Sequence, residues 1–393
     1  MTGQVIFGED YFPRPKDEER VWRRLKRGGH LLLLAPRRVG KTSLLRHLEN
    51  NPHEGFVFLY VMVQSCNTEH QFYKQILENL YSSEFTERLD KLSHKSKELI
   101  ASIFSSVEEI ELGDAGISFK NNNYQLVASD LEKVIYGLKL NQKLILVLDE
   151  YPDVLEKINQ NQGKQAAIDF LANTRSLCQN TELSRKAQFI FTGSIGLDTL
   201  AHRLGSTSLI NDRDKVSIDP LTQTDALAFI AFLTRKNNSR IALNELVADY
   251  LLQKIDWLMP YYIEALWERL EDLCCDNDIE NPSQGDVDKA FELLFHHNYR
   301  TTFNHWAERL QRFEKSEAKL AKIILDKLTE SGELSYSDIY NIFQDPKHQH
   351  LNGNYILDCL EHDGYLFEHR EKAFKFTSPI LKEWWRRYAD RTL

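Results

Sequence analysis

"LLLLAPRRVGKTSLLRHLEN" (31–50) runs from four leucines through two arginines into Gly-Lys-Thr and then into an amphipathic stretch. The leucines read as a short strand buried on both faces, and residues 41 to 50 read as a helix. The turn between them satisfies G-x-x-x-x-G-K-[ST] at every position except the first, where Ala35 stands. A strand entering and a helix leaving is the context in which backbone N–H groups and the positive helix end converge on phosphate oxygens. On this reading Ala35, Pro36, Arg37, Arg38, Val39, Gly40, Lys41, Thr42 and Ser43 form a nucleotide cradle. Lys41 is its point charge for the β and γ phosphates, Thr42 its hydroxyl ligand for magnesium, and Gly40 the residue that lets the backbone approach. ATP and Mg are the cofactors it implies. Ala35 is a departure, because glycine reaches positive φ more cheaply than alanine.

Working outward, "FVFLYVMV" (56–63), "KLILVLDEY" (143–151) and "AQFIFTGS" (187–194) repeat the short apolar run that ends in a polar or glycine-bearing turn. With the leucine strand they predict a parallel sheet, and helices are expected over 41–50, 68–82, 128–138 and 165–179. "VEEIELGDAGISFKNN" (107–122) alternates like a small hairpin decorating that sheet. The fold class is α/β, a P-loop NTPase parallel sheet. "LILVLDEYPDVL" delivers Asp149 and Glu150 at the carboxyl end of a buried strand, the edge where α/β sheets place ligands. Two adjacent carboxylates after an apolar run are costly unless a cation or a wet cleft receives them. Asp149 is assigned to the magnesium with Thr42, and Glu150 to polarising the attacking water. "FIFTGSIGL" carries a strand that ends in Thr192, Gly193 and Ser194; the Thr192 and Ser194 hydroxyls read as sensing the γ phosphate or orienting water, or the three residues simply end the strand.

Beyond residue 215 the spacing turns helical: "TQTDALAFIAFLTRK", "NELVADYLLQKIDWL", "PYYIEALWERLEDLCC" and "VDKAFELLFHHNYRTTFNHWAERL" carry apolar residues three and four apart. From 311, helical patterns at 316–329, 336–343 and 352–363 precede "GYLFEHREKAFKFTSP", where a charged turn separates two aromatic runs. That order predicts a helical lid domain and then a C-terminal winged-helix domain, giving 1–215, 216–310 and 311–393. "LKEWWRRYADR" (381–391) reads either as a basic, aromatic nucleic-acid contact or as a helix whose tryptophans close the domain core.

Over 393 residues the chain is 42% hydrophobic and 27% charged, and no apolar run approaches the roughly 18 residues of a membrane span. A soluble, cytoplasmic protein without a secretory signal is expected. Its net charge of -9 argues against broad attraction to nucleic acid. The five cysteines lack metal-type spacing, and Cys274 and Cys275 read as packing residues. The histidines, including His296 and His297, lack partners at zinc spacing.

"APRRVGKTSLL", "LVLDEYPDVL", "FIFTGSIGL", "SLINDRDKVSIDPLTQTDALAFI", "WLMPYYIEALWERL" and "FKFTSPILKEWWRRY" occur in an order that resembles the archaeal-type ATPases of the STAND group, relatives of the AAA+ ATPases. The resemblance spans nearly the whole chain. It implies that bound nucleotide sets the positions of lid and winged helix, that Pro260 packs on the base, and that "YFPRPKDEE" (11–19), with Arg14, flanks it. Trp257 and Leu258 precede Pro260 where related lids often carry a glycine. Arg175, Arg185 and Arg213 are the candidates for an arginine acting on the transferring phosphoryl group, with Arg175 placed first on the helix before the sensor strand.

The function expected is an ATP-hydrolysing switch, slow and partner-regulated, that acts on a protein partner or by self-association. The alternatives are a DNA-binding regulator or loader that uses the winged helix, and a nucleotide-binding scaffold without turnover. No nuclease or protease signature appears, so the effector is expected on another polypeptide.

Overall fold

A computed structural model describes residues 8–36, 38–82, 85, 110–113, 116–119, 125–138, 140–193, 196–296, 303–311 and 313–392. The described chain divides into two compact units, one built from residues 8–35 and Lys41–Ile218, the other from Pro36–Gly40 and residues from Asp219 onward.

The first is an α/β unit. Its strands β1 (Leu31–Leu34), β2 (Phe56–Met62), β5 (Lys143–Asp149), β6 (Ala187–Gly193) and β7 (Asp214–Ser217) form one sheet in the order β2-β5-β6-β1-β7. All four pairings are parallel, with Met62 opposite Asp149, Leu148 opposite Phe191, and Leu34 between Gly193 and Ser217. Helices cover both faces, which is why all seven residues of β6 are buried and why the strands read as unbroken apolar runs. The expected hairpin is present as β3 (Ile110–Gly113) and β4 (Gly116–Phe119), but it is a separate two-stranded sheet rather than part of the main one.

Several elements of this unit lie outside the sequence expectation, among them one strand and two helices that flank the phosphate-loop strand or the carboxylates. β7 buries only Val216 and exposes Asp214, Lys215 and Ser217, so it carries no apolar run to detect. The helix Tyr151–Gln162 starts immediately after Glu150, with proline in its first turn, and was hidden behind the carboxylate signature. The helix Pro15–Leu25 likewise begins on a proline.

Each edge strand has one main-chain group taken by a side chain. On β2, Glu49 Oε1 accepts the outward N–H of Tyr60 at 3.1 Å, and on β7 the Ser217 carbonyl accepts from Arg20 at 3.2 Å. His30, just before β1, is buried between strands. Its Nδ1 accepts the Phe189 N–H at 3.1 Å, so Nε2 carries the proton and points to Ser184 Oγ at 3.0 Å. Burial is the main reason its pKa falls to about 4.

The second unit contains the helices Gln223–Lys236, Glu245–Ile255, Pro260–Asp276, Gln284–Leu293 and His305–Leu310. It continues through Lys315–Ser331, β8 (Leu334–Ser335), Tyr336–Phe343, Gly353–His362, β9 (Leu366–Arg370), β10 (Ala373–Phe376) and Pro379–Thr392. The C-terminal sheet has three antiparallel strands in the order β8-β10-β9, one more than the sequence expectation, because β8 is only two residues long. Side-chain caps begin several helices: Thr222 accepts from Asp225 N–H, Asn244 from Val247, and Ser335 from Asp338.

Aromatic packing joins the parts of this unit. Trp306 meets Trp384 edge-on at 5.5 Å, Tyr365 donates its hydroxyl to the Trp306 carbonyl, and Ser378 Oγ donates to the Ile255 carbonyl at 3.0 Å. Trp384 and Trp385 are core residues, and Trp385 Nε1 donates to Asp326 at 2.8 Å. Arg386 and Arg387 both pair with Glu383, and Arg387 also reaches Glu292 at 2.6 Å. The "WWRR" segment therefore spends its aromatics on the core and its cations on intramolecular carboxylates.

Candidate functional site

The loop after β1 is shaped by two left-handed residues, Arg38 at φ 69° and Gly40 at φ 92°. Ala35 is not among the positive-φ residues, so the missing glycine falls where the backbone does not need one. Gly40 stands directly before the helix Lys41–Asn50, whose first turn carries Lys41, Thr42 and Ser43. Arg37 lies outside the described residues. Pro36 and Val39 complete the loop, and Val39 is fully buried.

The carboxyl end of β5 meets that first turn. Thr42 donates to Asp149 Oδ2 at 3.1 Å, and Lys41 Nζ stands 4.0 Å from Asp149 Oδ1. Asp149 is fully buried and Lys41 is 7% exposed. At 4.0 Å the ammonium is attracted to the carboxylate but beyond good hydrogen-bond length, so this contact does not by itself use its three donors. Phosphate oxygens are the acceptors such a group fits.

Glu150 follows in the left-handed region, at φ 61° and ψ 36°, and Asp149 Oδ1 accepts its N–H at 3.1 Å. That turn swings the Glu150 side chain toward the end of β6. A Cβ on Gly193 would lie 3.4 Å from Glu150 Oε2 and 2.4 Å from Pro152 Cδ, so only glycine lets the strand end pass under the turn. Beside it, Thr192 is fully buried and its Oγ1 has no hydrogen-bond partner among the described residues. An orphaned buried hydroxyl costs about 1–3 kcal/mol. Its position at the carboxyl end of the sheet fits a site that receives a polar ligand. Ser194 lies outside the described residues.

The structure thus gathers Lys41, Thr42, Asp149, Glu150 and Thr192 at one edge of the sheet. The three arginines have other engagements. Arg175 Nε is 4.0 Å from Asp212 Oδ2, and Arg185 pairs with Glu182 at 2.8 Å on the surface. Arg213 is buried with its guanidinium 4.1 Å from the Phe191 ring centre and within reach of Thr174 Oγ1 at 3.4 Å. Arg14 pairs with Asp17 at 2.7 Å. In the other unit, Pro260 opens its helix, and the adjacent Tyr261 ring lies under the Arg38 guanidinium at 4.3 Å.

Sequence reasoning missed Tyr60 on β2, whose hydroxyl donates to Asp149 Oδ2 at 2.5 Å. The available signal was a phenol inside an otherwise apolar strand, since a buried tyrosine hydroxyl usually finds a partner. Among the described residues no group of His, Cys, Asp and Glu is arranged to hold a metal by itself, and no helix is long and apolar enough to cross a membrane.

Residues 23–201 match the family model described as "AAA domain". No curated protein matches the sequence. Among solved structures, the Walker-type ATPase of Pyrococcus abyssi is similar over 96% of this chain and 97% of its own, at 17% identity and a TM-score of 0.64. The Aeropyrum pernix ORC2 protein, solved as ADPNP–ADP complexes, is similar over 98% of both chains, at 11% identity and a TM-score of 0.51. At those identities the likeness is one of fold. With the cluster at the sheet edge, the chain has a P-loop NTPase fold, within which residues 23–201 match an AAA domain.

Proposed function

We propose that the chain binds ATP with Mg, hydrolyses it slowly, and acts as a switch of the STAND type whose nucleotide state is passed through a lid (216–310) to a winged helix (311–393) and so to a partner. The observation that carries this reading is the meeting of Lys41, Thr42, Asp149, Glu150 and the unpartnered Thr192 hydroxyl at the carboxyl ends of β1, β5 and β6. The fold likeness to a protein solved as ADPNP–ADP complexes supports an adenine nucleotide.

The residues fit the cofactors. Ala35–Ser43 would cradle the phosphates, with Lys41 donating to the β and γ oxygens and Thr42 and Asp149 holding the Mg. The cation, when bound, neutralises charge developing on the phosphates. Glu150 accepts a hydrogen bond from the water that attacks the γ phosphorus as the bond to the β phosphate breaks, yielding ADP and phosphate. Thr192, with Ser194 beyond it, donates to the γ phosphate. Pro260 packs on the base, and Arg175 is the assigned arginine, which must first leave Asp212.

Switching requires the two states to bind nucleotide with different affinity. The contact of Arg38 with Tyr261 supports such coupling, because it ties the phosphate loop to the first turn of the helix that Pro260 opens. The test is Lys41→Ala, which is expected to abolish binding of a fluorescent ATP analogue. Retained binding at wild-type affinity would overturn the assignment.

We infer a protein partner or a second copy rather than DNA. In a winged helix the third helix is the one presented to the major groove, and here it is Gly353–His362, with Asp358 and Glu361 and no lysine or arginine. Arg370 on β9 is already paired with Glu333. DNA association measured between 50 and 200 mM salt is expected to be weak and nearly flat, whereas several phosphate contacts would make affinity fall by orders of magnitude. A steep decline would restore the DNA reading.

A further inference from the structure

The structure assigns Tyr60 as a positioning residue for Asp149, fixing the carboxylate that is to hold the Mg. The inference rests on the ATP–Mg reading above. Register places Tyr60 opposite Val147 and Met62 opposite Asp149, so the phenol reaches along the sheet toward its carboxyl edge. Its hydroxyl donates to Asp149 Oδ2 at 2.5 Å, the same oxygen that receives Thr42 at 3.1 Å. Asp149 Oδ1 accepts the Glu150 N–H at 3.1 Å and faces Lys41. The two oxygens thus have different partners on opposite sides, and rotation of the carboxylate would break bonds at both.

The tyrosine is itself held by the helix that follows the phosphate loop. The Arg46 guanidinium lies 3.8 Å from the centre of its ring, Arg46 pairs with Glu49 at 2.7 Å, and Glu49 accepts the Tyr60 N–H at 3.1 Å. Thr42, Arg46 and Glu49 are spaced i, i+4, i+7, so one face of this helix grips both the carboxylate and the residue that orients it. A purely structural role would not call for the hydroxyl: phenylalanine would fill the same space without the desolvation of a polar group. Outer-shell partners of metal ligands commonly change metal affinity by about 10- to 100-fold when removed.

Tyr60→Phe tests this in the full chain, with binding of a fluorescent ATP analogue followed in EDTA and across a magnesium chloride series, and with the unfolding midpoint recorded alongside. Affinity in EDTA is expected to match wild type and the variant to stay folded with a lowered unfolding midpoint, while the magnesium concentration giving half of the full effect rises roughly 10-fold. An unchanged magnesium requirement would overturn the inference and leave the nucleotide reading standing. An equal loss of affinity with and without magnesium would also overturn it, as the mark of a structural role. Absence of nucleotide binding by the wild-type chain would overturn both readings.

Discussion

Glu150→Gln is expected to lower ATP turnover by about 10²-fold or more while leaving nucleotide affinity unchanged. The substitution keeps the size and the left-handed turn of residue 150 and removes only the charge that polarises water. Asp149 keeps its hydrogen bonds from Thr42, Tyr60 and the residue 150 N–H, since none involves the Glu150 carboxylate. Phosphate release under multiple-turnover conditions reads the first effect, and titration with a fluorescent nucleotide reads the second. Wild-type turnover in the variant would remove Glu150 from the reaction. Loss of binding would mean that its carboxylate serves the fold around Gly193 rather than the water.

Acidification is expected to cost the fold roughly 3 kcal/mol through His30 alone. In the folded chain its pKa is about 4 instead of 6.5, because burial penalises the imidazolium and Nδ1 is occupied as an acceptor from Phe189. Between those two pH values the unfolded chain takes up a proton that the folded chain refuses. The stabilisation is therefore complete above about pH 6.5 and falls by about 1.4 kcal/mol per pH unit until the folded pKa is reached. His30→Asn places a non-titrating acceptor near the position of Nδ1. Urea unfolding at several pH values from 7 to 4.5 is expected to give a shallower loss for the variant, by one proton. Parallel curves for the two proteins would show that His30 is not the titrating group.

Four of the five strands of the parallel sheet were legible because burial on both faces demands apolar residues at every position, and the sequence shows that as runs such as Leu144–Leu148. The fifth, β7, lies at an edge, where all its residues but Val216 are exposed and the pattern dissolves. The cradle was legible because phosphate binding fixes both residue types and spacing. The consequence of Ala35 was not, since it depends on which loop residue takes the left-handed conformation, and here those are Arg38 and Gly40. Contacts between residues far apart in sequence were invisible for the same reason: nothing local distinguishes the phenol of Tyr60 from a core aromatic, or Gly193 from an ordinary turn glycine. The arginines were ambiguous in sequence because a guanidinium pairs as readily with a structural carboxylate, as Arg175 does with Asp212, as with a phosphate.

The edges of the sheet bear on how this protein can be recognised. Strand addition, in which a foreign segment extends a sheet by pairing with its free main-chain groups, needs a continuous row of them. Glu49 occupies the Tyr60 N–H of β2, and Arg20 occupies the Ser217 carbonyl of β7. The same carboxylate that braces the tyrosine thus also removes one donor from the row that a foreign strand would pair with, so strand addition there has to displace Glu49 first.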